Sequence, residues 1–400
     1  MKHRSAATTA RSVDDHRDRI EQVLRPLAAR RVESVAVPSA LGRQLAEDVR
    51  APIDLPVFRN SAMDGYAVRA DSVAVTPVTL PLAGVVAAGD PGRPLPEGAA
   101  LKVMTGAPMP PGADCVVPVE DTHADGARVT VERGRSAGEF VRLPGADVRA
   151  GELLVAAGVA LNPRHIAALA AAGLPTVPVF RPVCAAVITT GDELVAAGTP
   201  LRPGQIYNSN GIALAAALTA NGVAVQSVEH SVDDPGVFGR LLTAATRSAD
   251  VVFTTGGVSK GDFEVARDVL AARGGEFGSV AVQPGGPQGL TVVDGVPVLS
   301  FPGNPVSTMV SFEVFARPIL RHLAGLPPVR VSTVALLEDV RSPAGRRQFL
   351  RGRLTEGGVT SVSGPGSHLV AGMAKADVLI DVPAEATDLP AGTPVTVREL

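Results

Sequence analysis

A doubly wound, mostly parallel α/β sheet joined to β-rich domains is the architecture this sequence predicts, on three observations. From residue 183 onward, apolar runs of strand length alternate with helical stretches, the pattern of successive βαβ units. On either side, residues 51–145 and 326–400 are short apolar runs broken by Gly and Pro, which read as strands and turns. A chain of 400 residues also exceeds one ordinary core, so three or four domains are expected.

Taken in order, residues 14–30 have helical spacing at Ile20, Val23, Leu24 and Leu27, and Pro26 should kink or end that helix. A second helical stretch is expected through "SALGRQLAEDV" (39–49). After the β-rich segment, "NPRHIAALAAAG" reads as a helix with Asn162 as N-cap, Pro163 at its first position and Gly173 as its stop. Strands "VCAAVITT", "VAVQSVEH" and "DVVFTTGG" then alternate with helices "NGIALAAALTANG", "PGVFGRLLTAATRSA" and "FEVARDVLAARGG". Two apolar runs around Asp294 and Gly295 in "GLTVVDGVPVLS" signal a hairpin, hence an antiparallel edge on the parallel sheet. "GLPPVR" reads as a linker to a small C-terminal β-domain.

Composition narrows function. The chain is 46% hydrophobic and 19% charged without low-complexity tracts, so it is a globular protein with substantial cores. A net charge of -3 and the lack of Lys/Arg runs leave no electrostatic footprint for nucleic acid. No stretch is long and apolar enough to predict a membrane span, and the N-terminus lacks a signal-peptide pattern, so a cytoplasmic location is expected. Cys115 and Cys184 sit in apolar runs without metal-site spacing, which predicts burial.

The chemistry is expected beyond the carboxyl ends of the strands, where helix N-termini face anions. "TTGDEL" (189–194), "SVDDP" (231–235) and "TTGGVSKGDFE" (254–264) all fall there. Each alone is explained by caps and turns, with Asp192 or Asp233 capping a helix and Gly256 and Gly257 making a tight turn. Together they place Asp192, Glu193, Asp233, Asp234, Asp262 and Glu264 on one rim beside Gly-rich turns. Carboxylates next to a phosphate site suggest a divalent metal bridging the two. "FPGNPVS" (301–307) adds a loop in which Pro302 and Pro305 give stiffness and Gly303 allows close backbone approach, with Asn304 between them.

The motifs "NSAMDGYA", "KVMTGAP", "TTGDEL", "GQIYNSN", "TGGVS", "PGNPVS" and "GSHLVAGMAKADVLIDVP" occur in an order that resembles the molybdopterin molybdenumtransferase family, MoeA and the E-domain of gephyrin. The resemblance spans nearly the whole chain. It implies an L-shaped homodimer of four-domain subunits: an elongated N-terminal domain (1–50 and 146–180), a β-rich second domain (51–145), a molybdopterin-binding doubly wound domain (181–325) and a small C-terminal β-barrel (326–400). It further implies that adenylated molybdopterin and molybdate are the substrates, that AMP is released and that Mg2+ assists.

Carried over by motif, Asp64 and Thr105 would enter from the partner subunit. Glu193, Asp233 and Glu264 would come from the doubly wound rim and hold the Mg2+. Gly256, Gly257, Ser259, Lys260, Pro302, Gly303 and Asn304 would bind substrate, as would Arg351 in "FLRG" and Ser367 in "GSH". A molybdopterin adenylyltransferase and molybdoenzyme maturation proteins are the implied partners. The sequence departs from the family pattern at Glu264, where an Asp is usual. It departs again in "SVAVQPGGP", where Ser279, Gln283 and Gly286 stand in place of lysines. Lys260 is expected either to restore some of that positive charge or to be a solvated surface lysine. The competing readings are a pterin-binding paralogue without insertase activity and a scaffold resembling the animal relative at synapses.

Overall fold

The structure, a computed structural model, describes residues 10–259 and 264–400. It divides into two compact units, one made of residues up to Glu33, Gly42–Gln44 and Phe180–Leu400, the other of Ser34–Leu41 and Leu45–Val179. Helix α1 (Val13–Leu24) opens the first unit. Ser12 caps it by accepting from the Asp15 N–H, and a 3-10 turn over Arg25–Ala28 follows where Pro26 ends it.

The second unit is built on strands β1 (Gly65–Val68), β2 (Val78–Val86), β3 (Ala100–Val103), β4 (Cys115–Pro118), β5 (Thr122–Asp125) and β6 (Arg128–Val131), in the order β4-β1-β3-β2-β6-β5. Alternate residues serve different cores: Tyr66, Val68, Cys115 and Val117 join one cluster, while Ala67 and Val116 join another. Burial pushes the Cys115 thiol up to about 12, with Asp114 adding to the effect, so this cysteine is inert packing. Helix α2 (Pro163–Ala171) begins at Asn162, whose side chain accepts from the Arg164 and His165 N–H groups.

"SALGRQLAEDV" is not helical. Val37–Ser39 form a 3-10 turn, Gly42 takes φ +75, and Val49–Arg50 pair with Leu153–Val155. The Leu45 and Ala46 N–H groups donate to Val159 and Pro178, so long-range backbone pairing overrides local helix propensity.

In the first unit, β7 (Cys184–Thr190), α3 (Ser209–Ala220), β8 (Ala224–Ser231), α4 (Pro235–Ser248), β9 (Val251–Thr255) and α5 (Val265–Ala271) alternate as expected. They lead to β10 (Glu276–Ser279), the short β11 (Val282–Gln283), and the hairpin β12 (Pro287–Val293) and β13 (Val296–Phe301). The sheet order is β8-β7-β9-β13-β12-β10. Its β8, β7, β9 and β13 run parallel, while β12 and β10 form the antiparallel edge. At the hairpin tip Asp294 and Gly295 both have positive φ, the geometry an Asp-Gly turn provides. Every residue of β7 and β9 is buried, which is why their sequences are continuous apolar runs ending in Thr.

Helix α6 (Pro305–Ser311) leaves β13 and passes through a π-helical turn into α7 (Arg317–Leu323). Then β14 (Val331–Ala335), β15 (Arg347–Thr355), β16 (Gly358–Ser361), β17 (Val378–Val382) and β18 (Pro394–Glu399) form a sheet in the order β11-β15-β17-β18-β14, with β16 beside β15. A bridge from Leu336 to Val359 joins the far edge back to β16, closing a small barrel. α1 packs into the core of this unit: Val13, Ile20 and Leu24 share a cluster with Leu299, Phe301, Phe315 and Phe349. Arg347 fastens the same junction, donating to both Asp381 oxygens at 2.7 and 2.8 Å and to Asp14 at 3.2 Å. No helix among the described residues is long and apolar enough to cross a membrane.

Candidate functional site

A cleft of about 730 Å³ opens beyond the carboxyl ends of the doubly wound strands. The polar ends of β7 and β9, the loop after β13 and a loop from the C-terminal barrel all contribute to it. Glu193, Asp233, Glu264, Gly256, Gly257, Ser259, Pro302, Gly303, Asn304 and Ser367, all expected at the site, line this one cleft. Lys260 and Asp262 lie outside the described residues.

The loops are close to one another because two glycines permit it. Gly256 has φ +94, and a β-carbon there would lie 2.6 Å from the Thr190 carbonyl. Gly191 has φ +140, and the space a β-carbon would fill is taken by the Glu193 carboxylate, which folds back over the glycine. Beneath them, Asn210 donates from Nδ2 to Thr255 Oγ1 at 3.1 Å and to the Gly303 carbonyl at 2.7 Å. Thr255 in turn donates to the Pro302 carbonyl at 3.1 Å, so one buried amide and one hydroxyl fasten three loops together. Asn208 caps α3 by accepting from Gly211 N–H and donates to Thr189 Oγ1 at 2.7 Å. Neither asparagine was singled out from sequence, although both sit in "YNSN" directly before a helix, where such side chains bond backbone.

The carboxylates fall into distinct roles. Asp234, and neither Asp192 nor Asp233, caps α4, accepting from the Val237 N–H at 2.7 Å. Asp192 accepts from the Asp233 N–H at 2.9 Å, and Glu264 accepts from the Ser259 N–H at 2.8 Å. Asp233 is held above its ordinary pKa by partial burial and by the nearby Asp192, Glu193 and Glu264. Among the described residues no three acidic, His or Cys side chains converge tightly enough to enclose a metal ion by themselves. The mutual repulsion at Asp233 still fits a divalent cation held by one or two carboxylates together with substrate phosphates, the usual Mg2+ arrangement. The listening groups for an anion are neutral: no Arg, Lys or His is among the described lining residues. Gln283 lines the cleft with its carbonyl fixed by Gln348 Nε2 at 2.7 Å, and Thr190 Oγ1 is buried there without a partner. Arg267 donates to the Ser259 carbonyl at 3.1 Å.

Arg351, expected to contact substrate, is not among the described residues that line the cleft but stands behind one of its loops. It is fully buried on β15, and its Nη2 donates to Ser363 Oγ at 2.9 Å and to the Gly364 and Gly366 carbonyls. In this structure it therefore holds the 363–367 loop, leaving Nε and Nη1 buried without partners. That loop is tied to the cleft by the Val306 N–H, which donates to the Ser367 carbonyl at 3.0 Å. Asp64 and Thr105 lie in the other compact unit, where Asp64 Oδ1 accepts from the Thr105 N–H at 2.7 Å and its hydroxyl at 3.2 Å.

Residues 11–173 match the MoeA N-terminal region (domain I and II), 186–322 a probable molybdopterin binding domain, and 333–400 the MoeA C-terminal region (domain IV). The chain is 42% identical to molybdopterin molybdenumtransferase 2 of Mycobacterium tuberculosis, over 98% of this chain and 100% of that one. It is 37% identical to the molybdopterin molybdenumtransferase of a Nostoc species, over 92% and 88% of the two chains. Among solved structures, a molybdopterin biosynthesis MoeA protein from Pyrococcus horikosii superposes with a TM-score of 0.81 at 32% identity, covering 98% of this chain and 99% of that one.

Proposed function

This chain belongs to the MoeA family of molybdopterin molybdenumtransferases and acts in molybdenum cofactor biosynthesis, and on that premise we propose that its cleft takes adenylated molybdopterin and molybdate, releases AMP and leaves molybdenum on the pterin. The observation that carries the proposal is the convergence of Gly256, Gly257, Ser259, Gly303, Asn304 and Ser367 with Glu193, Asp233 and Glu264 on one cleft. The turns and the N-terminus of α3 offer N–H groups and helix dipole to the phosphates. Glu193 and Asp233 orient the water that enters as the phosphoanhydride opens, and Glu193, as a carboxylate, accepts a proton from it. Ser367 and the Gln283 amide face the oxyanion with neutral donors. When bound, Mg2+ would be held by Asp233 with Glu193 or Glu264 and would neutralise phosphate charge.

The reading extends to a homodimer in which the partner subunit's Asp64 and Thr105 complete the cleft. Exposed Ile206, Tyr207, Ile212 and Val228 support it, because they crowd the cleft mouth and the adjoining recess with apolar surface. A cytoplasmic site of action and transfer to and from adenylating and maturation proteins belong to the same proposal. A second reading, a pterin-binding paralogue without insertase activity, draws on the absence of basic side chains among the described cleft residues, with Ser279, Gln283 and Gly286 where related sequences have lysines.

Release of AMP from adenylated molybdopterin, measured with Mg2+ across a molybdate titration beside the Glu193→Ala variant, decides between them. Molybdate-dependent release that the variant loses supports the insertase. Tight ligand binding without release at any molybdate concentration leaves the paralogue. Light scattering that finds only monomer would remove the shared site.

A further inference from the structure

At the opposite end of the doubly wound sheet, a recess of about 220 Å³ lies beside the residues that lead into β7 and β9. Its walls are Pro26 and Leu27 from the turn after α1, and Pro182 and Val183 before β7. Arg30, Arg31 and Arg181 line it against a single carboxylate, Asp250. In a chain whose net charge is -3, three arginines lining one small concavity call for a charge partner.

None of the three is in a close ion pair within the described residues, although the charge of Asp250 favours Arg181 from a distance. Arg30 is held in place by neutral contacts, donating to Gln44 Oε1 and stacking 4.4 Å from the centroid of the Phe180 ring. Arg181 donates to Cys184 Sγ at 3.3 Å. Arg31 has neither ion pair nor hydrogen bond from its side chain there, although its carbonyl accepts from the Arg181 N–H at 2.8 Å, which ties the two segments. Asp250 is already engaged, since its Oδ2 accepts from the Cys184 N–H at 2.8 Å. Nearby Arg43 adds like charge and is itself paired with Glu33. Burial, and then the charge of Arg43, holds Arg30 below the ordinary arginine range, so its charge is incompletely compensated there.

We propose that this recess is an anion site for a phosphate group, free or as a small phosphate monoester, held by the Arg30, Arg31 and Arg181 guanidiniums. Guanidinium forks match phosphate oxygens two at a time, and pinning Arg30 beforehand lowers the ordering cost of binding. The apolar Pro26, Leu27, Pro182 and Val183 give the organic part of a monoester a surface to lie on. The site is separate from the cleft and does not rest on the reading of the cleft chemistry.

The test is calorimetric titration of inorganic phosphate and of glycerol 3-phosphate, a monoester without the nucleoside handled in the cleft, into the full chain at low ionic strength, for the native sequence, Arg31→Ala, and the Arg31→Ala/Arg181→Ala pair. Affinity should fall about tenfold in Arg31→Ala and further in the pair, while Arg31→Lys, which keeps charge without the fork, falls less. Loss of both ligands identifies a monoester site, and loss of phosphate alone identifies free phosphate; either result supports the proposal. Arg31 makes no side-chain bond to be broken, so its variants keep the test open should the pair fail to fold. Absence of phosphate binding in the native chain, or equal affinity in Arg31→Ala, overturns the proposal.

Discussion

At the carboxyl ends of the doubly wound strands, three carboxylates and no basic side chain line the cleft among the described residues, whereas at the amino ends three arginines meet one carboxylate. The helices account for the contrast. α3 and α4 begin beside the cleft and, running antiparallel to the strands, finish toward the amino ends. Their N–H termini supply positive potential at the first end, so acidic side chains can collect there for catalysis and cation binding. Their carbonyl termini face the other end, where an anion can be held only by full guanidinium charges. One sheet thus presents two kinds of anion environment, one made of backbone and one of side chains.

Several substitutions would sharpen or break that contrast. The largest effect is expected from Glu193→Ala, which should slow AMP release about a hundredfold or more in a single-turnover assay while leaving phosphate affinity at the arginine recess unchanged. A drop of less than about threefold would take Glu193 out of the chemistry and leave the cleft as a binding surface.

Acid should act next, and through α1, whose following turn walls the arginine recess. His16 on α1 is buried, packs edge-on against Phe315 at 4.8 Å, and is driven down to about 4 by burial and by Arg11 and Arg19. Because its folded pKa lies below its unfolded value, protons favour the unfolded chain. The stability is complete above about pH 6.5 and falls as the pH drops toward 4. Between pH 7.5 and 5 this amounts to about 2 kcal/mol, to be read from urea midpoints, and His16→Gln should remove most of that loss. An unchanged pH dependence in the variant would mean that acid sensitivity arises elsewhere.

Asn210→Ala should cost about 1 to 2 kcal/mol in urea unfolding, because it deprives the Gly303 carbonyl of its amide donor and loosens the floor of the cleft. Weakened pterin binding should accompany the loss of stability. The smallest change is expected from Gln283→Lys, which brings to the cleft a cation that its described lining residues do not supply and should lower the molybdate concentration needed for half-maximal AMP release about tenfold. No change would indicate that the neutral donors already saturate the oxyanion.

Much of this was legible from residue order. Thr-rich ends on apolar strands, Asp294-Gly295 at a hairpin and Asn162-Pro163 before a helix are local signals, and each led to the right element. The cleft was legible because its loops follow strands in a parallel sheet, where position in the chain predicts position at the strand ends. What escaped notice depends on contacts between distant segments. "SALGRQLAEDV" has helical spacing but forms a turn and strand because its N–H groups pair with residues beyond 150. Arg351 looks like a ligand-binding charge, and only the fold shows that from β15 it also holds the 363–367 loop. The arginine recess draws on residues 26–31, 181–183 and 250, three stretches that share no motif.

The position of α1 also imposes an order in time. It leaves the ribosome early relative to its partners, since Leu299, Phe301 and Phe315, which cover its apolar face, are made nearly three hundred residues later. Until then Val13, Ile20 and Leu24 must wait exposed or sheltered by a chaperone. A helix made well before its covering residues is therefore buried late, and a nascent chain halted before β13 would still display it.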